Sequence, residues 1–76
     1  MDSDFFRELH AREPFQPFRV KLNTGRVYEV PHRDLLMVGR TSIAIGLLDR
    51  ERAGPVYDQL LTIALANIRD VEMIEA

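Results

Sequence analysis

The residues that could do chemistry are few and scattered. His10, His32 and Asp34 carry side chains that bind metals, and the last two lie in one loop. Nothing in the sequence holds His10 near that loop. An exposed turn in which Asp34 bonds its own backbone explains the pair better. The sequence therefore predicts no metal site, and no other cofactor is indicated.

Catalysis by a serine nucleophile would require Ser3 or Ser42 beside a histidine and a carboxylate. Ser3 is better explained as a helix-capping residue, and Ser42 as a strand residue. Asp70 and Glu72 share one face of a predicted strand, but exposed carboxyls lack the burial that prepares such groups for acid–base work. We therefore expect no catalytic residues and a protein that is not an enzyme.

Five arginines recur at intervals of seven residues. They are Arg12, Arg19, Arg26, Arg33 and Arg40. Prolines and turns interrupt any helix on which this spacing would draw a stripe. Three of them, Arg26, Arg33 and Arg40, fall near predicted turns and could gather at one rim of the β-unit. We call this set the arginine rim, and it is the candidate surface for an anionic partner such as nucleic acid.

Composition and length limit the class of protein. The net charge of -2, from 10 basic and 12 acidic residues, gives no general attraction to nucleic acid. There is no cysteine, no apolar run of the roughly 20 residues that a membrane span needs, and the acidic start is unlike a signal peptide. These features predict a cytoplasmic location. One domain over residues 1–76 has a small core, so we expect support from self-association or a protein partner.

A helix is predicted over residues 2–12. Asp2 or Ser3 can cap it, and Pro14 biases the residue before it out of the helical region. The predicted apolar face consists of Phe5, Phe6 and Leu9. An extended connector follows and leads into the β-unit, residues 18–74.

A hairpin opens the β-unit, because the apolar period changes to two from Phe18 and a turn follows at residues 23–25. The predicted register pairs Phe18 with Val30, Val20 with Tyr28, Leu22 with Arg26, and Arg19 with Glu29. The first two pairs share an inner face, while Arg19 and Glu29 make a favourable pair on the outer face.

Further strands are predicted at residues 35–38, 41–48 and 70–74, with an exposed loop at 49–55 and a short helical turn at 66–68. Residues 56–65 fit either a strand or a helix, and we favour a strand. In the fourth strand, Ser42, Ala44 and Gly46 form a face of small residues, which indicates close approach of another sheet, helix or subunit. The expected fold is mainly β (α+β), a helix followed by a five-stranded antiparallel SH3-like or Sm-like barrel or a strongly bent sheet.

Several short motifs lie in the first half of the chain. They are Phe6-Arg7-Glu8-Leu9, the stretch 14–18 (Pro-Phe-Gln-Pro-Phe), the stretch 22–26 (Leu-Asn-Thr-Gly-Arg) and Val30-Pro31-His32. This pattern resembles a group of small uncharacterised bacterial proteins, and the resemblance implies no activity. A weaker likeness, at the level of fold, is to Sm-like RNA-binding proteins, although the residues with which those proteins hold bases are not recognisable here.

Two functions follow as expectations. The first is a non-enzymatic protein-interaction or assembly module that acts through a strand edge or the exposed part of the helix. The alternative is an Sm-like oligomer that binds nucleic acid through the arginine rim.

Overall fold

The computed structural model describes residues 1–48 and 57–75, apart from the side chain of Tyr57. Its elements are α1 (Ser3–Ala11), β1 (Phe18–Leu22), β2 (Val27–Val30), β3 (Leu36–Val38), β4 (Ser42–Leu48), β5 (Tyr57–Ala64) and β6 (Ile68–Met73). Two 3₁₀ turns complete them, the first at Arg33–Leu35 and the second at Leu65–Asn67. The strand predicted at residues 56–65 is confirmed as β5, whereas the loop predicted at 49–55 lies outside the described residues.

Helix α1 begins with Asp2 as its N-cap, whose Oδ1 accepts a hydrogen bond from the Asp4 N–H at 3.0 Å. Phe6 and Leu9 are buried, as predicted. Phe5 is 39% exposed, so its assignment to the buried face was wrong: it lies at the edge of the apolar stripe, and its ring meets that of Phe6 edge-on. No helix in the described part of the chain is long and apolar enough to cross a membrane.

The first sheet, sheet A, has the strand order β2-β1-β6 and is antiparallel throughout. The predicted register of the hairpin is confirmed, with Val20 opposite Tyr28 and Arg19 opposite Glu29. Gly25 has a φ of +92°, the left-handed conformation that glycine adopts without a steric penalty. The turn is closed by a hydrogen bond from the Leu22 N–H to the Arg26 carbonyl at 2.9 Å.

The second sheet, sheet B, has the order β3-β4-β5 and is also antiparallel. Ile43 and Ile45 of β4 point into the core, and the alternate residues, Ser42, Ala44 and Gly46, lie on the opposite face. The strand predicted at 35–38 begins one residue later, because Leu35 ends the first 3₁₀ turn.

The mainly β character with one N-terminal helix is confirmed, but the five-stranded barrel is not. The strands of the described residues form two three-stranded sheets and do not close into a barrel. Pro31 has no N–H to donate, and the first 3₁₀ turn then redirects the chain from sheet A to sheet B. The second 3₁₀ turn separates β5 from β6 in the same way, so each sheet keeps open edges.

The core lies between the two sheets and under α1. Phe6 of the helix and Phe18 of β1 are fully buried with ring centroids 6.3 Å apart, and Phe15 of the connector packs on Phe18 at 6.0 Å. The other buried apolar residues are Leu9, Val20, Val30, Leu35, Leu36, Ile43, Ile45, Ile63, Leu65 and Ile68. Helix and sheets therefore bury one another around the Phe6–Phe18 contact.

The outer face of sheet A carries a ladder of ion pairs across its three strands. Arg19 of β1 contacts Glu29 of β2 at 3.4 Å and Glu72 of β6 at 2.8 Å, and Lys21 contacts Glu72 at 3.4 Å. Hydrogen bonds from Arg19 first and Lys21 second lower the pKa of the Glu72 carboxyl. This face is charged and solvated.

The free energy of unfolding should therefore depend on pH in part through the Glu72 carboxyl. Because its pKa is lowered in the folded chain, its stabilising contribution is present above its unfolded pKa and disappears as the pH falls through the folded value. We expect Glu72→Gln to lower the thermal midpoint at neutral pH and to leave it unchanged at pH 2. Thermal denaturation followed by circular dichroism measures both. Glu75→Gln, an equal charge change outside the ladder, serves as control, and a midpoint difference that persists at pH 2 would contradict this linkage.

Candidate functional site

Arg33 is bound to the end of the helix and the connector. Its Nε donates a hydrogen bond to the His10 carbonyl at 2.8 Å. Its Nη2 donates to the Arg12 carbonyl and also to Glu13 Oε1, the latter at 2.8 Å. Its guanidinium carbon lies 5.8 Å from the ring centroid of Phe15. The last carbonyls of a helix lack hydrogen-bond donors within the helix, and Arg33 supplies such donors to the end of α1. This arginine is engaged in holding α1 in place.

Arg26 and Arg40 lie in two turns that are fixed to the same element. Arg26 ends the β1–β2 turn, and the Asn23 N–H in that turn donates to the Asn67 carbonyl of the second 3₁₀ turn at 2.9 Å. Arg40 lies in the β3–β4 turn, where the Thr41 carbonyl accepts from the Leu65 N–H at 2.9 Å. The second 3₁₀ turn thus bridges the turns of Arg26 and Arg40.

Arg33 lies elsewhere. Strand β2 runs away from the Arg26 turn, and Arg33 follows its far end. Strand β3 then returns toward the Arg40 turn. The structure therefore brings the turns of Arg26 and Arg40 to one end of the strands and places Arg33 at the other.

A cleft opens between the inner face of the hairpin and β5, at the end occupied by the second 3₁₀ turn. We call it the hairpin cleft. Its volume is about 560 Å³, and its lining residues are Leu22, Asn23, Thr24, Arg26, Tyr28, Leu61, Thr62, Ile63, Ala64 and Asn67. One side is apolar, the other presents amide and hydroxyl groups, and Arg26 is the one charged residue in this lining.

Arg26 and Tyr28 both line this cleft. Tyr28 raises the pKa of Arg26, first through side-chain hydrogen bonding and second through the negative charge of its ionised form. Among the described residues, the ion pairs do not include Arg26. Its guanidinium therefore keeps a full positive charge and donors for a ligand.

Two other cavities are lined by residues that include carboxylates. One, of about 400 Å³, lies between β2 and the end of β4, and its charged lining residue is Glu29. Another, of about 520 Å³, follows the connector, and its lining includes Arg12 with Glu13 and Glu75. Among the described lining residues of these three cavities, only those of the hairpin cleft include a cationic side chain and no carboxylate.

The outer face of sheet B and the free edge of β5 form a second candidate surface, which we call the β5 surface. Leu60 on β5 and Met37 on β3 are each 50% exposed there. Ala44 lies between Met37 and Thr62, with which it is paired on either side, and Leu60 lies opposite Gly46. From Gln59 to Ala64 the strand carries no charged side chain. Nothing on this surface matches the ion ladder of sheet A.

The residues considered for metal binding or catalysis are dispersed. His10 is half-buried on α1, whereas His32 and Asp34 are exposed at the first 3₁₀ turn. Ser3 accepts a hydrogen bond from Arg7 Nη1 at 3.0 Å, so the helix-capping role belongs to Asp2. Across residues 1–48 and 57–75, no three histidine or carboxylate side chains are grouped so that they could hold a metal ion.

Of the residues that line the cleft, Arg26 was predicted from the sequence as a site residue and the others were not. The alternation of the hairpin already placed Leu22 and Tyr28 on one inner face. That Leu61 to Ala64 form the opposite wall depends on how the two sheets face each other, for which the sequence carries no local signal.

Comparisons with family models, with curated proteins and with solved structures find no match for this chain. The resemblance to small bacterial proteins therefore stays a prediction, and a function can be proposed only from the geometry of the fold.

Replacing Arg33 should destabilise the fold. Arg33→Ala removes hydrogen bonds from a charged group to the helix end, so we expect a loss of about 1–3 kcal/mol in the free energy of unfolding. Arg33→Lys should recover only part of this, because lysine lacks the planar fork that reaches two carbonyls. Urea denaturation measures the values. Arg40→Ala, in an exposed turn, should change stability by less than about 0.5 kcal/mol, and equal losses for the two alanine variants would disprove the role of Arg33.

Proposed function

We propose that this protein is a non-enzymatic interaction module that self-associates through the free edge of β5. The observation that carries the proposal is the character of β5: a strand of eight residues at the edge of its sheet with one charge, Asp58, near its start. An edge strand presents unpaired N–H and C=O groups, which another strand can bind.

The other edges of the two sheets are less suitable. Strand β6 carries Arg69, Asp70 and Glu72, and charged side chains on an edge oppose pairing with another chain. Strand β2 has four residues and carries Glu29, and β3 has only three residues. Strand β5 is longer than these and the least protected.

A second copy of this chain is the partner we favour. If β5 pairs antiparallel with β5 of another copy, the two-fold axis lies near the middle of the strand, and Asp58 falls opposite the uncharged far end. The two sheets B would then join into one six-stranded sheet. The exposed Leu60 side chains would approach each other across the axis, where they would bury apolar surface.

The small size of the core supports the same proposal. A chain of 76 residues buries a modest fraction of its surface, and small domains often gain stability by association. From Gln59 to Ala64 the edge strand is uncharged, in contrast to the ion ladder on sheet A, and an uncharged stretch of this kind is typical of a surface that meets another protein.

Leu60→Lys tests this arrangement. A lysine near the two-fold axis would place like charges together, so we expect the dissociation constant of the dimer to rise at least about tenfold. Light scattering coupled to size exclusion measures the mass over a concentration series. Met37→Lys is the matched control, because Met37 is equally exposed on the same face but lies at the β3 edge. A monomeric mass for the unmodified chain at every concentration would refute self-association, and equal weakening by both variants would refute the β5 seam.

The alternative proposal is an Sm-like oligomer that binds nucleic acid at the Arg26 and Arg40 end. One observation favours it: both turns are hydrogen-bonded to the second 3₁₀ turn, after which β6 pairs with β1. A tight turn followed by a short final strand is how small SH3-like and Sm-like barrels close. In this interpretation β2 and β3 would correspond to one strand bent at Pro31. Arg33 would contribute through the fold rather than through contact.

Salt dependence tests the alternative. Binding of a single-stranded RNA should weaken steeply as salt increases, and Arg26→Ala and Arg40→Ala should each reduce the slope of log affinity against log salt by about 1. Fluorescence anisotropy with labelled oligouridine measures this. Arg7→Ala, on α1, controls for total charge. Absence of binding at low salt would eliminate the nucleic-acid function.

A further inference from the structure

We propose that the hairpin cleft is a binding site for a small organic carboxylate with an apolar body. This inference does not depend on self-association through β5. It arises from the shape of the cleft, the division of its walls and its single charge.

The size and wall chemistry of the cleft suit a small ligand. A volume of about 560 Å³ lies in the usual range for small-molecule sites. Leu22, Leu61 and Ile63 provide an apolar wall, and the half-buried ring of Tyr28 extends it. A planar or branched apolar group would displace water from these side chains, which is the main source of affinity in such sites.

The charge of the cleft selects an anion. Arg26 and Tyr28 both line the cleft, and no carboxylate is among the lining residues that the structure describes. A guanidinium binds a carboxylate through two parallel N–H···O bonds, and a phenol hydroxyl can donate a third. A single positive charge matches a carboxylate, whereas a phosphate monoester, with a charge approaching -2, would be only partly neutralised.

The polar wall is held in position before a ligand arrives. The Asn23 Nδ2 donates to the Ala66 carbonyl at 3.2 Å, and its backbone N–H donates to the Asn67 carbonyl at 2.9 Å. The Thr24 hydroxyl accepts from the Arg26 N–H at 3.4 Å. The turn that carries Arg26 is thus fixed to the second 3₁₀ turn, and a fixed wall reduces the entropy lost on binding.

Thr62 and Asn67 contribute further polar side chains to the cleft. The side chains of Thr62 and Asn67 make no hydrogen bond within the described residues, although both line the cleft. They can accept or donate to polar substituents on the ligand body. These groups give the site a means of choosing among carboxylates.

Titration of the ¹⁵N-labelled protein with benzoate tests the inference. We expect saturable shifts in the amide resonances of the hairpin turn, of Leu61 to Ala64 and of Asn67. Benzamide, which has the same shape without the charge, should bind at least about tenfold more weakly. Phenyl phosphate tests the anion class, and tighter binding of phenyl phosphate than of benzoate would overturn the assignment to carboxylates.

Variants of Arg26, with Arg40 as the control, complete the test. Arg26→Gln should weaken benzoate binding at least about tenfold, and Arg26→Lys should weaken it less, since the charge remains but the two-bond geometry is lost. Arg40→Gln makes the same charge change in the neighbouring turn and should leave binding unchanged. Dispersed amide spectra establish that each variant is folded. Shifts that never saturate, or that persist undiminished in Arg26→Gln, would overturn the site.

Discussion

The arrangement of the molecule depends on the guanidinium of Arg33. It joins the carbonyls at the end of α1, the carboxylate of Glu13 and the ring of Phe15, which belong to three successive parts of the chain. A helix of nine residues is too short to persist alone in water, so its place is determined by what holds it to the sheets. The buried contact between Phe6 and Phe18 holds one side, and Arg33 holds the end. The same engagement removes Arg33 from the arginine rim.

Local patterns predicted most of the individual elements. The hairpin register followed from alternation and a three-residue turn, because both require Val20 to face Tyr28. The strand nature of β5 was also legible, whereas the cap was left open between Asp2 and Ser3, and the structure assigns it to Asp2. Phe5 was misassigned because a helical stripe has no sharp boundary. The division into two sheets was missed because it depends on Pro31 and the 3₁₀ turns, which act on relations between strands rather than within them. The far wall of the hairpin cleft was missed for the same reason.

The outer faces of the two sheets carry different kinds of side chain. Sheet A covers its outer face with ion pairs among Arg19, Glu29 and Glu72, and this ladder also links its three strands. Sheet B keeps small and uncharged residues there, with Leu60 and Met37 half exposed. The proposed partner and the proposed ligand both lie on the β5 side of the molecule, away from the charged outer face of sheet A. The charged face would stay in solvent.

The pairing of β1 with β6 joins segments that are far apart in sequence, since Arg19 and its partner Glu72 are separated by 53 positions. Such a contact closes a long loop, and its entropic cost must be met before the sheet is complete. On the ribosome, β1 and β2 emerge well before β6, which follows β3, β4 and β5 in the described chain. Until then, the hairpin has an edge on β1 that is open to other chains. The timing of synthesis therefore makes the growing chain more vulnerable to aggregation than the finished domain, whose last strand covers that edge.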